Sequence, residues 1–538
     1  MNAASSFIKL QYLLSLLCVL LTGRAWALDA DTLGILAAAD TAQRIVAIEK
    51  IVNTADAAAL PALEALLAGA LHIGDANVIV ILTPQGAVDP LTAKAVTPLP
   101  RNLQKVSINN RIRQRLNSAL AALKLAAPER AVRLAAAGEL QKNASAALLP
   151  LIERRIQVEQ DAAVKALLLA ARASLQLNAP EREVRLKAIH DLAQSPSNHT
   201  KSLLLARLGN DAVPLETDAQ VRRALQSALA EVDIRLKWVG YLNHAFNGLS
   251  LGSVLLLAAL GLAITFGLMG IINMAHGELL MIGAYTTYVV QILFKNYWPA
   301  AFDGYLLAAV PASFITAALV GMALERSVIR HLYGRPLETL LATWGISLLL
   351  IQTVRVLFGA QNVEVANPSW MSGGWAVMTG LVLPYNRVVI ILFALFVVVL
   401  VWALLNRTRL GLFVRAVTQN RGMAGCMGIP TAKVDVLTFG LGSGIAGLGG
   451  CALSQIGNVG PELGQGYIVD SFMVVVLGGV GQLAGTVIAA LGLGEVNKFL
   501  EPYAGAVLGK IIILALIIAF IQKRPQGLFA LKGRSAES

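Results

Sequence analysis

Apolar and polar positions are distributed so that the chain divides in two near residue 237. From Tyr241 onward, apolar runs recur near 242–266, 271–294, 304–325, 337–357, 387–405, 436–456 and 506–522. Each is about the length a helix needs to cross a bilayer. Between the last two lies SFMVVVLGGVGQLAGTVIAALGLG (Ser471 to Gly494), interrupted by Gly478, Gly479, Gly481 and Gly485, too often for one span. This pattern predicts two half-helices meeting at a glycine elbow, which membrane depth tolerates only where protein or a watery cavity covers the backbone. The expected fold is all-α and polytopic, with about eight spans and half-helices in residues 237–538.

Residues 28–236 follow different physics. They are rich in Ala and Leu but studded with Arg, Glu, Asp and Gln, and their apolar positions recur at helical spacing. ERAVRLAAAGEL places Val132, Leu134 and Leu140 as EREVRLKAIHDL places Val184, Leu186 and Leu192. Likewise DAAVKALLLAARASL from Asp161 is echoed by DAQVRRALQSALAEV from Asp218. Imperfect self-similarity at roughly 50 residues predicts stacked helical pairs in a short HEAT-like solenoid, with an irregular helical bundle as the alternative. Around residues 77–96, NVIVILTPQGAVDPLTAKAV breaks the pattern with β-branched residues and turn signals, which predicts a small β insertion.

At the N-terminus, Lys9 precedes the apolar run Leu10 to Leu21, and Ala25-Trp26-Ala27 fits a small-x-small cleavage site. Residues 1–27 therefore read as a signal peptide, with an uncleaved anchor as the alternative, and residues 28–236 as exported. Lys and Arg fit that orientation. Loops then expected inside hold Arg326, Arg330 and Arg335, the group Arg407, Arg409, Arg415, Arg421 and Lys433, and finally Lys523, Arg524, Lys532 and Arg534. Loops expected outside hold few, chiefly Lys295 and Arg387, in accord with the positive-inside bias.

Composition agrees with a chain largely in lipid: 56% hydrophobic, 14% charged, with a formal net charge of +12. The basic residues are spread over the helical half and the short loops rather than gathered with aromatics on one face, which argues against a nucleic-acid partner. Cys18 lies in the leader, leaving Cys426 and Cys451, so neither a disulfide framework nor a metal-type spacing is present, and the six His are scattered. GAVLGK (Gly505 to Lys510) is one residue short of a phosphate loop and lacks the following Ser or Thr. No catalytic constellation or metal site is expected.

Three stretches carry chemistry. GIINMAHGELLMIGAY (Gly270 to Tyr285) places Asn273, His276 and Glu278 inside an apolar region. A charge at the bilayer centre costs at least about 2.5 kcal/mol on insertion scales, so these residues are expected to face the bundle interior or a cavity. Read as a helix, Asn273, Gly277 and Leu280 share one stripe. Asn247 and, from a glycine-rich span, Gln455 are further candidates for a polar path; interhelical packing is the alternative use of such residues. RTRLGLFVRAVTQNRGMAGCMGIP (Arg407 to Pro430) is basic and amphipathic, suited either to the inner leaflet or to docking a cytoplasmic partner. The third is LTFGLGSGIAGLGGCALSQIG (Leu437 to Gly457), whose small-xxx-small spacing lets backbones approach closely.

FNGLSLGSVLLLAALGLAITFGLMGIINMAHGELLMIGAYTTYVV (Phe246 to Val290) resembles the branched-chain amino acid-type ABC transporter permeases. It carries their N-G-x-x-x-G-S opening at Asn247, Gly248, Gly252 and Ser253. Their I-N-x-A-H-G-E segment matches Ile272, Asn273, Ala275, His276, Gly277 and Glu278. The resemblance extends over about Trp238 to Leu531. The long exported extension departs from ordinary amino acid permeases and is similar to that of the urea-type permease subunits of the same group.

The resemblance implies a polytopic α-helical membrane permease of a bacterial inner membrane, importing urea or small amides. It implies no cofactor on this chain, with ATP hydrolysed by two cytoplasmic ATPase subunits, and as further partners a second permease and a periplasmic binding protein. Coupling to the ATPases would fall to the loop 407–435, with Arg415, Ala416, Asn420 and Gly428 as contacts. Asn247, Asn273, His276, Glu278 and Gln455 would contribute to the substrate path, Glu278 by orienting His276 or a helix end. Rival readings are an importer of branched-chain or other amino acids, a passive urea channel, and a periplasmic ligand sensor on a membrane anchor.

Overall fold

A computed structural model describes residues 30–37, 40–54, 59–75, 78–83, 86–92, 94–209, 215–378 and 380–529. The leader expected at residues 1–27 lies outside them. The chain forms two compact units, Met1–Leu236 and Lys237–Ser538.

The N-terminal unit begins with α1 (Ala30–Ala37), α2 (Thr41–Thr54) and α3 (Leu60–Ala68). A small antiparallel sheet follows: β1 (Leu71–Ile73), β2 (Ile79–Thr83), β3 (Gly86–Val88) and β4 (Gln104–Lys105), in the order β3-β2-β1-β4. The insertion read at 77–96 is thus wider than a hairpin, because β1 and β4 pair on its far edge with His72 opposite Lys105. Then come α4 (Asn110–Lys124), α5 (Arg130–Asn143), α6 (Leu149–Val158), α7 (Ala162–Gln176), α8 (Arg182–Ala193) and α9 (Asn198–Leu208). Their apolar stripes interlock through buried Leu116, Ala137, Leu140, Ile152, Val164 and Leu168.

The sequence echo has a structural counterpart, a clamp built twice. In α5, Arg133 Nη1 donates to the carbonyls of Ala127 and Pro128 (3.1 and 2.7 Å) while its Nε lies 3.3 Å from Glu159. In α8, Arg185 Nη1 donates to Ala179 and Pro180 (2.9 and 2.8 Å) while its Nε lies 3.2 Å from Glu216. A second arginine closes each clamp, Arg155 on Glu159 at 2.8 Å and Arg207 on Glu216 at 2.6 Å. Each glutamate also accepts from the backbone N–H of an aspartate two residues on, Asp161 or Asp218, both at 3.2 Å. Those aspartates accept from the first N–H groups of the next helix, as N-caps do. Burial opposes ionisation of Glu159 and Glu216, yet these hydrogen bonds and charges hold both carboxyls below their ordinary range.

The C-terminal unit is the membrane-type bundle. Among the described residues, seven helices are long and apolar enough to cross a membrane. They are α10 (Ala219–Met269, apolar in its second half), α11 (His276–Tyr297), α12 (Tyr305–Ser327), α13 (Pro336–Phe358), α14 (Tyr385–Arg407), α17 (Thr431–Ser454) and α19 (Leu483–Lys523). Between α13 and α14, β5 (Gly374–Met378) and β6 (Leu381–Pro384) form a hairpin. Two short helices, α15 (Arg409–Gln419) and α16 (Arg421–Cys426), precede α17, and α18 (Leu463–Gly478) precedes α19.

Helix α17 is central because its glycines admit neighbouring backbones. A Cβ on Gly447 would meet Ser313 O of α12 at 2.4 Å, and one on Gly450 would meet Leu280 O of α11 at 1.8 Å. Close backbone approach through small residues is how helices pack without a hydrophobic drive between them. The run read as a span from residue 271 begins instead at His276. Gly270 takes a positive φ of 69°, and residues 270–275 leave the helix. The last span, expected at 506–522, follows a break in α19 at Gly505 (φ 75°, ψ 166°), three residues after Pro502.

Candidate functional site

Three of the expected polar residues are buried at the break at 270–275 and the first turn of α11. Asn273, His276 and Glu278 are at most 1% exposed. Asn273 is in the irregular segment, not on the α11 face, so the stripe with Gly277 and Leu280 does not form. Its Oδ1 accepts from Ala275 N–H at 3.0 Å, turning the chain into α11. His276 Nε2 donates to Ala258 O of α10 at 2.9 Å. Glu278 Oε1 accepts from Ser347 Oγ of α13. A Cβ on Gly464 would meet Glu278 Oε2 at 2.5 Å, so this carboxylate lies against the first turn of α18. A carboxylate is favoured at the positive end of a helix dipole. Glu278 thus lies against a helix end, whereas the partner of His276 is a backbone carbonyl.

Asn273 Nδ2, His276 Nδ1 and Glu278 Oε2 are buried without a hydrogen-bond partner. Buried polar atoms are nearly always paired, so one donor and two acceptors left open around the break stand out.

α13 supplies partners that the sequence reading missed. Thr339, Thr343 and Ser347 are buried at intervals of four on one face. Thr343 Oγ1 accepts from Met274 N–H at 3.1 Å, and Ser347 reaches Glu278. The signal available was a row of hydroxyls spaced by four in an apolar helix.

Asn247 and Gln455 lie apart from this cluster. Asn247 is eleven residues before Ala258, about 16 Å along α10 at 1.5 Å per residue. Its Oδ1 accepts from Arg387 Nη1 at 2.9 Å, beside a 410 Å³ cleft that also includes His244, Lys498 and Glu501. Gln455 follows the far end of α17, where its Oε1 accepts from Tyr305 OH at 3.1 Å and its Nε2 donates to Ser454 Oγ at 3.0 Å.

The four elbow glycines sit where α18 ends and α19 begins. Gly479 and Gly481 have φ of 99° and 83°, a region that favours glycine. A Cβ on Gly478 would meet Gly485 C at 2.5 Å, and one on Gly267 of α10 would meet Gly481 Cα at 2.4 Å. α18 starts at Leu463, eight residues before the stretch first read as a half-helix, because EL-GQGYIVD continues its apolar face. Lys510, set aside in the false phosphate loop, donates to Asp470 Oδ2 at 2.9 Å and so ties α18 to the second half of α19.

In the basic segment, Arg415 Nη1 donates to Leu405 O at 2.6 Å, anchoring α15 to the end of α14. Ala416 O accepts from Asn420 N–H at 3.1 Å. Asn420 breaks the segment in two, and its Oδ1 accepts from Met423 N–H at 2.9 Å as the cap of α16. Gly428 (φ 84°) makes the turn toward α17. Leu412, Met423 and Met427 are exposed here, an apolar set absent from the sequence expectations.

A family model described as the permease component of branched-chain amino acid transport systems matches residues 244–521. The chain belongs to this permease family. Among its relatives is the high-affinity branched-chain amino acid transport system permease protein BraD of Pseudomonas aeruginosa, 30% identical over 294 residues, 54% of this chain and 95% of BraD. LivH of Escherichia coli K12, with the same description, is 31% identical over 300 residues, covering 54% and 95%. The ribose import permease protein RbsC of Escherichia coli K12 is 26% identical over 289 residues, covering 52% and 84%. No solved structure matches the chain. As a family member the chain is a multi-pass transport permease, not an enzyme. The family match lies wholly within the C-terminal unit and leaves the N-terminal unit outside it.

Proposed function

We propose that this chain is the inner-membrane permease subunit of an ATP-driven importer for urea and related small neutral amides. The observation that carries this reading is the buried polar group Asn273, His276 and Glu278 around the break at 270–275. Its unpartnered donor and acceptors suit a small solute that both gives and takes hydrogen bonds. The N-terminal extension lies outside the family match and resembles that of urea-type permeases, which supports the same substrate class.

A binding protein delivers the solute on the side of the N-terminal unit, a HEAT-like platform that docks that protein or the second permease. Two ATPase subunits press on residues 407–435 through Arg415, Ala416, Asn420 and Gly428 and drive alternating access. The chain itself binds no cofactor. Lys and Arg concentrated at Arg326–Arg335, Arg407–Lys433 and Lys523–Arg524 support a cytoplasmic position for those loops. Asn247 and Gln455, at other levels of the bundle, serve as way-points on the path.

A second reading, import of branched-chain amino acids, is favoured by the descriptions of BraD and LivH. Uptake of labelled urea at micromolar concentration, with and without this gene and with leucine and short amides as competitors, separates the two. Gene-dependent, energy-dependent uptake that only amides compete away supports urea. Uptake blocked by leucine would move the substrate to the amino acid class. Uptake that survives loss of the ATPases would instead indicate a passive channel.

A further inference from the structure

We infer that Arg421 is a mechanical latch that delivers movement of the basic segment to the helix pair α12–α17, and through it to the polar cluster on α11. The inference rests on the proposed role of residues 407–435 as the ATPase-driven segment.

Arg421 opens α16, and its guanidinium forks onto Asp435, Nη1 to Oδ1 at 3.2 Å and Nη2 to Oδ2. Asp435 is in the second turn of α17, and its side chain is 3% exposed. The same guanidinium lies 4.6 Å from the ring centre of Tyr333, in the α12–α13 connection. Tyr333 OH donates to Glu325 Oε1 at 3.2 Å, in the last turn of α12. Burial, reinforced by the Asp435 and Glu325 carboxylates, raises the Tyr333 phenol above its ordinary range, so it stays a donor. One side chain of the basic segment therefore grips α17 directly and, through Tyr333 and Glu325, α12.

Those two spans interlock closely. A Cβ on Gly321 of α12 would meet Ser443 Oγ of α17 at 2.0 Å, and one on Gly440 of α17 would meet Met322 Cγ of α12 at 2.6 Å. α17 in turn meets α11 backbone to backbone at Gly283 and Gly447, a Cβ on Gly283 lying 2.1 Å from Gly447 O. A displacement at Arg421 thus reaches His276 and Glu278 through contacts with no slack. A bidentate, stacked guanidinium transmits direction as well as charge, which an ammonium does not.

The test uses the complete transporter in proteoliposomes, reading ATP hydrolysis and solute imported per ATP. Arg421→Gln should lower solute per ATP about fivefold or more while hydrolysis stays within about twofold. Arg421→Lys should not restore the ratio, whereas the exchange Arg421→Asp with Asp435→Arg should restore part of it. If Arg421→Gln fails to assemble, Tyr333→Leu removes only the stacked face and should lower the ratio about two- to threefold. Import and hydrolysis falling in equal proportion would reduce Arg421 to a structural contact and overturn the latch, as would an unchanged ratio in Arg421→Gln or Tyr333→Leu. Wild-type uptake indifferent to ATP would remove the importer reading and the latch with it. ATP-driven wild-type uptake with unchanged variant ratios would remove the latch alone.

Discussion

Substituting Gly450 by alanine tests whether α17 holds α11 in register by backbone contact. The added Cβ would stand 1.8 Å from Leu280 O and 2.9 Å from Ala284 N, whereas real Cβ contacts do not fall below 3.0 Å. Relief requires about 1.2 Å of separation, the difference between 3.0 and 1.8 Å, and the obstacle is main chain rather than a side chain able to rotate. A gap of 0.5–1 Å already forfeits roughly a quarter to a half of the dispersion attraction along the seam. Overpacking of this kind costs about 1–3 kcal/mol, and an obstacle of backbone places Gly450→Ala at the upper end. Gly345→Ala in α13 is the control, since nothing lies within 4 Å of its Cβ and an alanine inside a helix is favoured by about 0.5–1 kcal/mol. Thermal unfolding in detergent and expression-normalised uptake are the assays. Gly450→Ala should unfold at a lower temperature and transport less, and Gly345→Ala should do neither. A Gly450→Ala protein with wild-type melting and uptake would refute the close-contact account of α11 positioning.

Other substitutions separate the remaining elements. Glu278→Gln keeps the hydrogen bond from Ser347 but loses the charge facing the α18 N-terminus, about 0.3–1 kcal/mol, rising toward about 2 where the site is enclosed. Uptake should fall several-fold, and full uptake would reject any role for the charge. Glu216→Gln leaves Arg185 and Arg207 facing one another without a counter-charge. It should destabilise the N-terminal unit by about 3 kcal/mol, read by the rate of limited proteolysis at neutral pH. Because the Glu159 and Glu216 carboxyls are held below their ordinary range when folded, their stabilisation is present above the unfolded value of about 4.3. It is lost as pH falls through the folded value, so acid below about pH 4 should expose this unit to protease. Glu216→Gln should make that acid dependence shallower. Gly479→Ala asks a side chain to adopt φ 99° with Phe529 O only 2.4 Å from its Cβ, so assembly or uptake should fail while Gly492→Ala, in open space, is tolerated.

Much of this architecture could be read along the chain because its causes are local. Span lengths follow from the thickness of a bilayer, and the elbow follows from four glycines in eight positions. The self-similarity of ERAVRL and EREVRL is read from their apolar positions, and the arginines between those positions, Arg133 and Arg185, build the two clamps. What escaped was decided by distant neighbours. Asn273 reads as a helical position until Gly270 is seen to turn left-handed and Thr343 to take up Met274 N–H. Gly464 is an ordinary small residue until Glu278 is found against it. Asn247 and Gln455 carry side chains suited to a polar path, yet their depth in the bundle is fixed by Arg387 and Tyr305, from other helices. Arg421 was one of many basic residues in its loop, and nothing nearby in sequence distinguishes it from Arg409.

The interrupted backbone at 270–275 also sets a schedule for synthesis. The α10–α11 hairpin leaves the ribosome with Met274 N–H and the Glu278 side chain unsatisfied, and both are answered only by Thr343 and Ser347 of α13, two spans later. Lipid offers no substitute partner, so this hairpin cannot settle at full depth as an independent pair. Its final insertion waits for α13, which makes the first four spans a single unit of assembly.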